Sequence, residues 1–409
     1  MENPFRIEGV VRPPHFADRE DELARIGTAL RTPGAKLLVY GPRRMGKTSA
    51  IVVAKERLEE EGGAAVLADF STASSVADLA RRLLTAAGRT LGQRWRDLPS
   101  EIARRLDVSL TLEVDPRTGT PVPTLGTGLR RRSREEQYDT LGQLLDALEQ
   151  MAENRDETLA VVLDEFQEIH RFGGEDAEWR LRGILQHHRH TSYVLAGSRA
   201  SLIRRMVAKD RAFYKLADLM AFGPIAPDVL AGWIDDRFAE AGRPRPGVGA
   251  VCAKGAGPRT RDVVQLARRA FDRARGAAED DPVGTLVLRA LREIVEEEDD
   301  LARSLWEQLT ANQQNTLRAV AAADEGLTSR ATLEAFGLPG SGSVSNLASS
   351  FLEDGYLVKT ELAPGYDFDS PFLRAWVVEH ALADVGATAD PLERPAGRAY
   401  VEETSSDGG

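Results

Sequence analysis

The sequence predicts an α/β protein with a parallel sheet, followed by a helical unit and a winged helix. Three observations predict it. Five short apolar runs between residues 36 and 224 alternate with helical stretches. From about 228 to 298 the pattern is helical and offers no central strand, and from 301 to 382 three helices precede two short strand candidates. Alternation of strands and helices gives parallel strands covered on both faces, and three helices with a hairpin give a winged helix.

The elements follow in order. DREDELARIGTALR, 18–31, reads as an amphipathic helix, with Asp18 placed to cap its first turn and Leu23, Ile26 and Leu30 on one face. KLLVY, 36–40, is the first strand, and a helical pattern from Lys47 runs to Glu61, where Gly62 and Gly63 stop it. Further strands are expected at 64–70, 159–166, 192–198 and 219–224, with a β-hairpin inserted near 108–128 around the turn DPRTGTP. The expected division is a core over 1–225, a helical lid over 226–300, a winged helix over 301–385 and a disordered polar tail over 386–409.

With 409 residues the chain is long enough for two or three domains. Its 42% hydrophobic and 29% charged residues fit a globular protein. No apolar run approaches the roughly 20 residues a bilayer requires, and no leader pattern opens the sequence, so a cytoplasmic location is expected. The single Cys252 forms no internal disulfide. A net charge of −11 argues against bulk electrostatic coating of nucleic acid, although a local basic patch is able to bind it.

GPRRMGKT, Gly41–Thr48, sits between the first strand and a helix. Gly41 and Gly46 let the loop turn its N–H groups toward phosphates, Lys47 reaches the β and γ phosphates, and Thr48 offers its hydroxyl to Mg²⁺. Asp164 and Glu165 end the apolar run LAVVL, where a carboxylate serves a cation. In that arrangement Asp164 orients Mg²⁺ and Glu165 polarises the attacking water. Ser198 and Arg199 close another strand at the same sheet edge, and the Arg199 guanidinium suits a γ-phosphate. Arg43 and Arg44 face either phosphate or a neighbouring subunit. QHHRH, 186–190, has no partner at a zinc-like spacing.

The segments HFADREDEL, GPRRMGKTS, LDEFQEI, ILQHHRHTSYVLAGSR, RAFY, FGPIAPDVLAGWIDDRF, KGAGPRTRDVVQLARRAF and DFDSPFLRAW together resemble the archaeal-type ATPase family within the STAND and AAA+ group of P-loop NTPases. The resemblance covers most of residues 3–380. It implies a sheet of order 5-1-4-3-2, a helical lid, a C-terminal winged helix, and ATP or ADP with Mg²⁺ as ligands. Within the loop it assigns Gly41, Pro42, Arg43, Arg44, Met45, Gly46, Lys47, Thr48 and Ser49 to the nucleotide. Phe16 and Arg19 match the family's N-terminal box, which runs past the nucleotide. Pro258 matches the lid proline near the base; it equally suits the first residue of a helix over 258–275. Ala256 departs from the usual Gly-Gly-x-Pro form.

A winged helix suggests DNA, but the charges here do not. The candidate recognition helix SGSVSNLASSFLED contains no Lys or Arg. From 305 to 390 the four basic residues Arg318, Arg330, Lys359 and Arg374 face 12 acidic ones, a balance of −8. The expected role is that of a protein-docking module or an intramolecular clamp, with a separate protein as the expected output partner. Basic residues lie elsewhere, at Arg130, Arg131, Arg132 and Arg134, and at Arg204, Arg205, Lys209 and Arg211, the last a candidate for action in trans in a nucleotide-dependent homo-oligomer. The expected function is a slow ATPase that works as a conformational switch. The alternatives are a DNA-associated ATPase resembling replication initiators and a module that binds nucleotide without turnover.

Overall fold

The computed structural model describes residues 2–91, 110–114, 119, 121–125, 133–155, 158–276, 278 and 281–406. The chain divides into two compact units, residues 19–223 and residues 1–18 joined to 224–409.

The first unit runs α1 (Glu20–Arg31), β1 (Lys36–Tyr40), α2 (Lys47–Glu60), β2 (Ala64–Asp69), α3 (Val76–Leu91), β3 (Leu110–Val114), β4 (Pro121–Leu125), α4 (Arg134–Arg155), β5 (Leu159–Asp164), a 3-10 helix (Phe166–Phe172), α5 (Gly174–Leu185), β6 (Thr191–Gly197), α6 (Ala200–Met206) and β7 (Asp218–Ala221). The main sheet has the order β2-β5-β6-β1-β7, and every pairing is parallel. Counted along its own five strands this is 2-3-4-1-5, the same order, read from the opposite edge, that the family resemblance implies. Every residue of β5 and β6 is buried, as strands covered on both faces require. Register pairs Tyr40 with Gly197 and Asp69 with Asp164, so the carboxyl ends of the strands emerge together. That edge is where open α/β sheets take ligands.

The hairpin expected near 108–128 appears as the antiparallel pair β3 and β4, with Glu113 opposite Val122. Arg130, Arg131 and Arg132 lie outside the described residues. Asp18 does not cap α1: Asp18 and Arg19 both have positive φ, 49° and 84°, and no side chain caps the helix. A left-handed pair turns the chain into the helix instead.

The second unit contains α7 (Pro227–Glu240), α8 (Val248–Ala256), α9 (Thr260–Arg273), α10 (Val283–Glu297), α11 (Asp299–Gln308), α12 (Ala311–Ala322), α13 (Arg330–Ala335), α14 (Ser341–Glu353), β8 (Leu357–Lys359), β9 (Tyr366–Phe368), α15 (Pro371–His380) and α16 (Pro395–Ser406). The winged helix is α12 to α15 with the antiparallel pair β8 and β9. Thr310 and Gln313 form a capping box on α12, and Ser329 and Ser370 cap α13 and α15. One continuous apolar core runs from the lid helices into the winged helix, from Leu230 and Phe271 to Phe351 and Trp376.

Residues 1–18, expected with the core, join this unit. Phe5 is buried with its ring 5.7 Å from Trp233, 5.6 Å from Phe238 and 6.1 Å from Phe271. The tail is a second difference. Where composition suggests disorder from 386, residues 395–406 form α16, which packs on α7 and α8. Arg394 leads into it with a buried ion pair to Asp367 on β9 at 2.9 Å, and Asp367 also accepts from the Ala396 N–H at 2.8 Å. Tyr400 is buried and donates its hydroxyl to the Ile225 carbonyl.

Removing one partner of a buried ion pair strands the other charge, at a cost of about 3–5 kcal/mol. Arg394→Met therefore lowers the urea midpoint of the second unit; an unchanged midpoint would mean that the pair is open to solvent.

Candidate functional site

Lys47, the first residue of α2, is buried, and its Nζ donates to the carbonyl oxygens of Gly41 at 2.8 Å and Pro42 at 2.6 Å. The loop thus folds around its own ammonium group. Gly41 is required by close approach, since a Cβ there would run into the Phe222 carbonyl oxygen after β7. Gly46 is required by conformation, because φ of 95° leads into α2. Pro42, Arg43 and Arg44 are exposed at the loop's tip, while Met45 and Ser49 are buried.

Arg19 is buried and braces this loop. Its guanidinium donates to the carbonyl oxygens of Met45 at 3.2 Å and Gly223 at 2.7 Å and lies 4.3 Å from the Phe222 ring centroid. The family resemblance placed Arg19 along the nucleotide; its described side-chain contacts are with the Met45 and Gly223 carbonyl oxygens, the Phe222 ring and the Glu22 carboxylate, at 2.5 Å. Phe16 and Pro258, the other two positions that came from the resemblance, belong to the second unit, where both are half-buried. Pro258 is not the first residue of a helix, because α9 begins at Thr260.

Thr48 Oγ1 donates to Asp164 Oδ2 at 2.8 Å. Burial pushes the Asp164 carboxyl above its usual range; the Thr48 hydroxyl opposes that shift, while the charges of Glu165 and Asp69 add to it. Two adjacent hard oxygens, one of them on a carboxylate that burial and like charge disfavour, fit a Mg²⁺ that also binds phosphate oxygens.

Glu165 follows β5 in a left-handed conformation, φ 52° and ψ 38°, which turns the chain into the 3-10 helix. Its Oε2 accepts from Ser198 Oγ at 2.7 Å and Gln167 Nε2 at 2.5 Å. Ser198 Oγ in turn accepts from Arg43 Nε at 3.3 Å. Hydrogen bonds therefore run from the phosphate loop through β6 to the carboxylate at the end of β5. Arg199 is exposed and lies 3.6 Å from Glu168, beside this chain.

The structure thus brings Lys47, Thr48, Asp164, Glu165, Ser198 and Arg199 to one end of the sheet. Gln167 was missed by sequence reasoning. The available signal was its place two residues after Glu165, in the first turn of the 3-10 helix Phe166–Phe172. Arg211, a candidate for action in trans, pairs within its own unit with Glu175 and, at 3.4 Å, with the buried Glu178. His188 is buried between Tyr193 Oη at 2.6 Å and Asp146 Oδ1 at 2.9 Å. Nearby, burial pushes the Glu149 carboxyl up, but the N–H groups of Arg189, His190 and Thr191 outweigh it and bring the pKa down to about 2.

A parallel sheet of this order, a glycine loop folded around a buried lysine, and a threonine–aspartate pair at the adjoining strand end define a P-loop NTPase. Residues 16–225, half of the chain, match the family described as an ATPase domain predominantly from Archaea, and the chain belongs to that family. It is an ATPase.

Two solved structures share the fold over nearly the whole chain. The Walker-type ATPase of Pyrococcus abyssi is 15% identical, with a TM-score of 0.58 over 91% of this chain and 99% of that one. The ORC2 protein of Aeropyrum pernix, in ADPNP–ADP complexes, is 14% identical, with a TM-score of 0.53 over 99% and 98%. At these identities the likeness is one of fold. No curated protein sequence matches the chain. Among the described residues no helix is long and apolar enough to cross a membrane.

Proposed function

We propose that the protein is an ATP-dependent conformational switch that hydrolyses ATP slowly and signals to a separate protein through its lid and winged helix. ATP binds the loop Gly41–Ser49. Thr48 and Asp164 hold Mg²⁺, which shields the phosphate charge when bound. Glu165 accepts a proton from the attacking water, and Arg199 reads the γ-phosphate, so ATP and ADP are distinguished at one end of the sheet.

The energy suffices. Moving a two-state equilibrium from 1:99 to 99:1 takes about 5.5 kcal/mol of differential binding. Two or three charge-assisted hydrogen bonds at roughly 1.5–3 kcal/mol each cover it.

The observation that carries the output half of this reading is the surface of the winged helix. Of its four basic side chains, Arg374 and Arg318 are buried. Arg374 donates to the backbone oxygens of Ala321 at 3.0 Å and Glu393 at 2.8 Å, and burial pushes its pKa down to about 10. Arg318 pairs with Asp384 at 2.8 Å. Only Arg330, itself paired with Glu334, and Lys359 are left exposed, while Asp324, Glu325, Glu353, Asp354 and Glu361 are exposed beside them, so the surface is acidic. Such a face repels a duplex and suits a protein with a basic docking surface.

The experiment compares Glu165→Gln loaded with ATP or with ADP by small-angle scattering and by co-purification. The switch predicts different dimensions and a partner retained with one nucleotide alone. Identical profiles and identical partners would end this reading. A second reading, DNA association, is favoured by the exposed Arg204, Arg205 and Lys209 on the first unit. It predicts salt-dependent duplex binding that Arg204→Glu with Arg205→Glu abolishes.

A further inference from the structure

Glu165 has two carboxylate oxygens, and the hydrogen bonds fall on one. Oε2 accepts from both Gln167 and Ser198, whereas Oε1 takes no hydrogen bond among the described residues. The geometry points to Gln167 as a positioning residue that, with Ser198, holds Oε2 so that Oε1 is the oxygen presented to the attacking water. This rests on Glu165 acting as the water-polarising residue.

Three further features support it. Gln167 is 1% exposed, and its amide can sit only one way round: reversed, its oxygen would face Glu165 Oε2, acceptor against acceptor. With Nε2 on the carboxylate, Gln167 Oε1 is left buried without a partner among the described residues. An orphaned buried acceptor destabilises a fold. A glutamine retained only for packing would not carry that cost; one that restrains a reacting carboxylate has a reason to.

Second, the room for this amide is made by Gly197, the last residue of β6, where a Cβ would fall on Gln167 Oε1 and on Ile203 Cδ1. Third, the left-handed backbone at Glu165 fixes where its side chain starts, so two donors on a single oxygen are enough to set the plane of the carboxylate. Gln167 acts through Glu165 and contacts neither the loop nor the predicted metal ligands in any described hydrogen bond.

Gln167→Met tests this, because it nearly keeps the length and volume of the side chain and removes the amide, both the donor to Glu165 and the unpartnered acceptor. ATPase rates are measured against ATP concentration, together with ADP affinity and melting temperature. The expected result is a fall in kcat of roughly 10- to 100-fold, with KM and ADP affinity within about twofold of wild type and no loss of melting temperature. Gly197→Ala, which displaces the amide while leaving it in the chain, shows the same split. A wild-type kcat in Gln167→Met overturns the inference, as does a kcat loss accompanied by an equal change in nucleotide affinity. Glu165→Gln separates the two levels. If it is inactive while Gln167→Met is normal, only the positioning role falls; if both hydrolyse ATP normally, the assignment of Glu165 falls with it.

Discussion

Glu165→Gln lowers kcat for ATP hydrolysis by about 10²–10⁴-fold, the range a general base supplies, while ATP stays bound. The substitution keeps the shape of the side chain, and an amide oxygen still accepts from Ser198 and Gln167 in place of Oε2. What it removes is the ability to take a proton from water. The lysine, the loop and the threonine–aspartate pair are untouched, so binding survives while turnover stops. Phosphate release at saturating ATP, measured beside a nucleotide titration, reads the two separately. Wild-type turnover in this variant would remove Glu165 from the mechanism.

Lys47→Ala has the complementary outcome, with loss of binding and turnover together. Its ammonium is buried and bridges the Gly41 and Pro42 carbonyl oxygens, so the change takes a cation from the phosphates and a tie from the loop. Two charge-assisted bonds of roughly 1.5–3 kcal/mol each translate to about 10²–10⁴-fold in affinity. Calorimetric titration with ATP is the measurement. Lys47→Met, which refills the volume, keeps the melting temperature and still binds poorly if charge rather than packing is decisive. Tight ATP binding by either variant contradicts the assignment.

The loop, both carboxylates and all five core strands were legible in the sequence, because each is local: a spacing, an apolar run, a residue at the end of one. The order of the strands came from the resemblance. Features set by distant partners were not legible. Arg394 finds Asp367 on β9, and nothing around Arg394 announces it, so a polar, Pro- and Gly-bearing stretch looked unstructured. Charge counting treated Arg374 and Arg318 as surface, although tertiary packing buries them. Asp18 has the chemistry of a cap, but its left-handed backbone leaves α1 without a side-chain cap. Gln167 stands within LDEFQEI, but its spacing from Glu165 gives it no role by itself, since its importance lies in which oxygen of Glu165 it touches.

The join of residues 1–18 to 224–409 has a consequence during synthesis. Phe5 leaves the ribosome well before its ring partners Trp233, Phe238 and Phe271 are made. At about 5–20 residues per second the nascent chain carries this apolar end uncovered for roughly 10–50 s. Residues 19–223 are complete before most of the second unit exists, so the second unit closes late. Its fastening by Arg394 to Asp367 and by Tyr400 to Ile225 waits for residues translated after the winged helix.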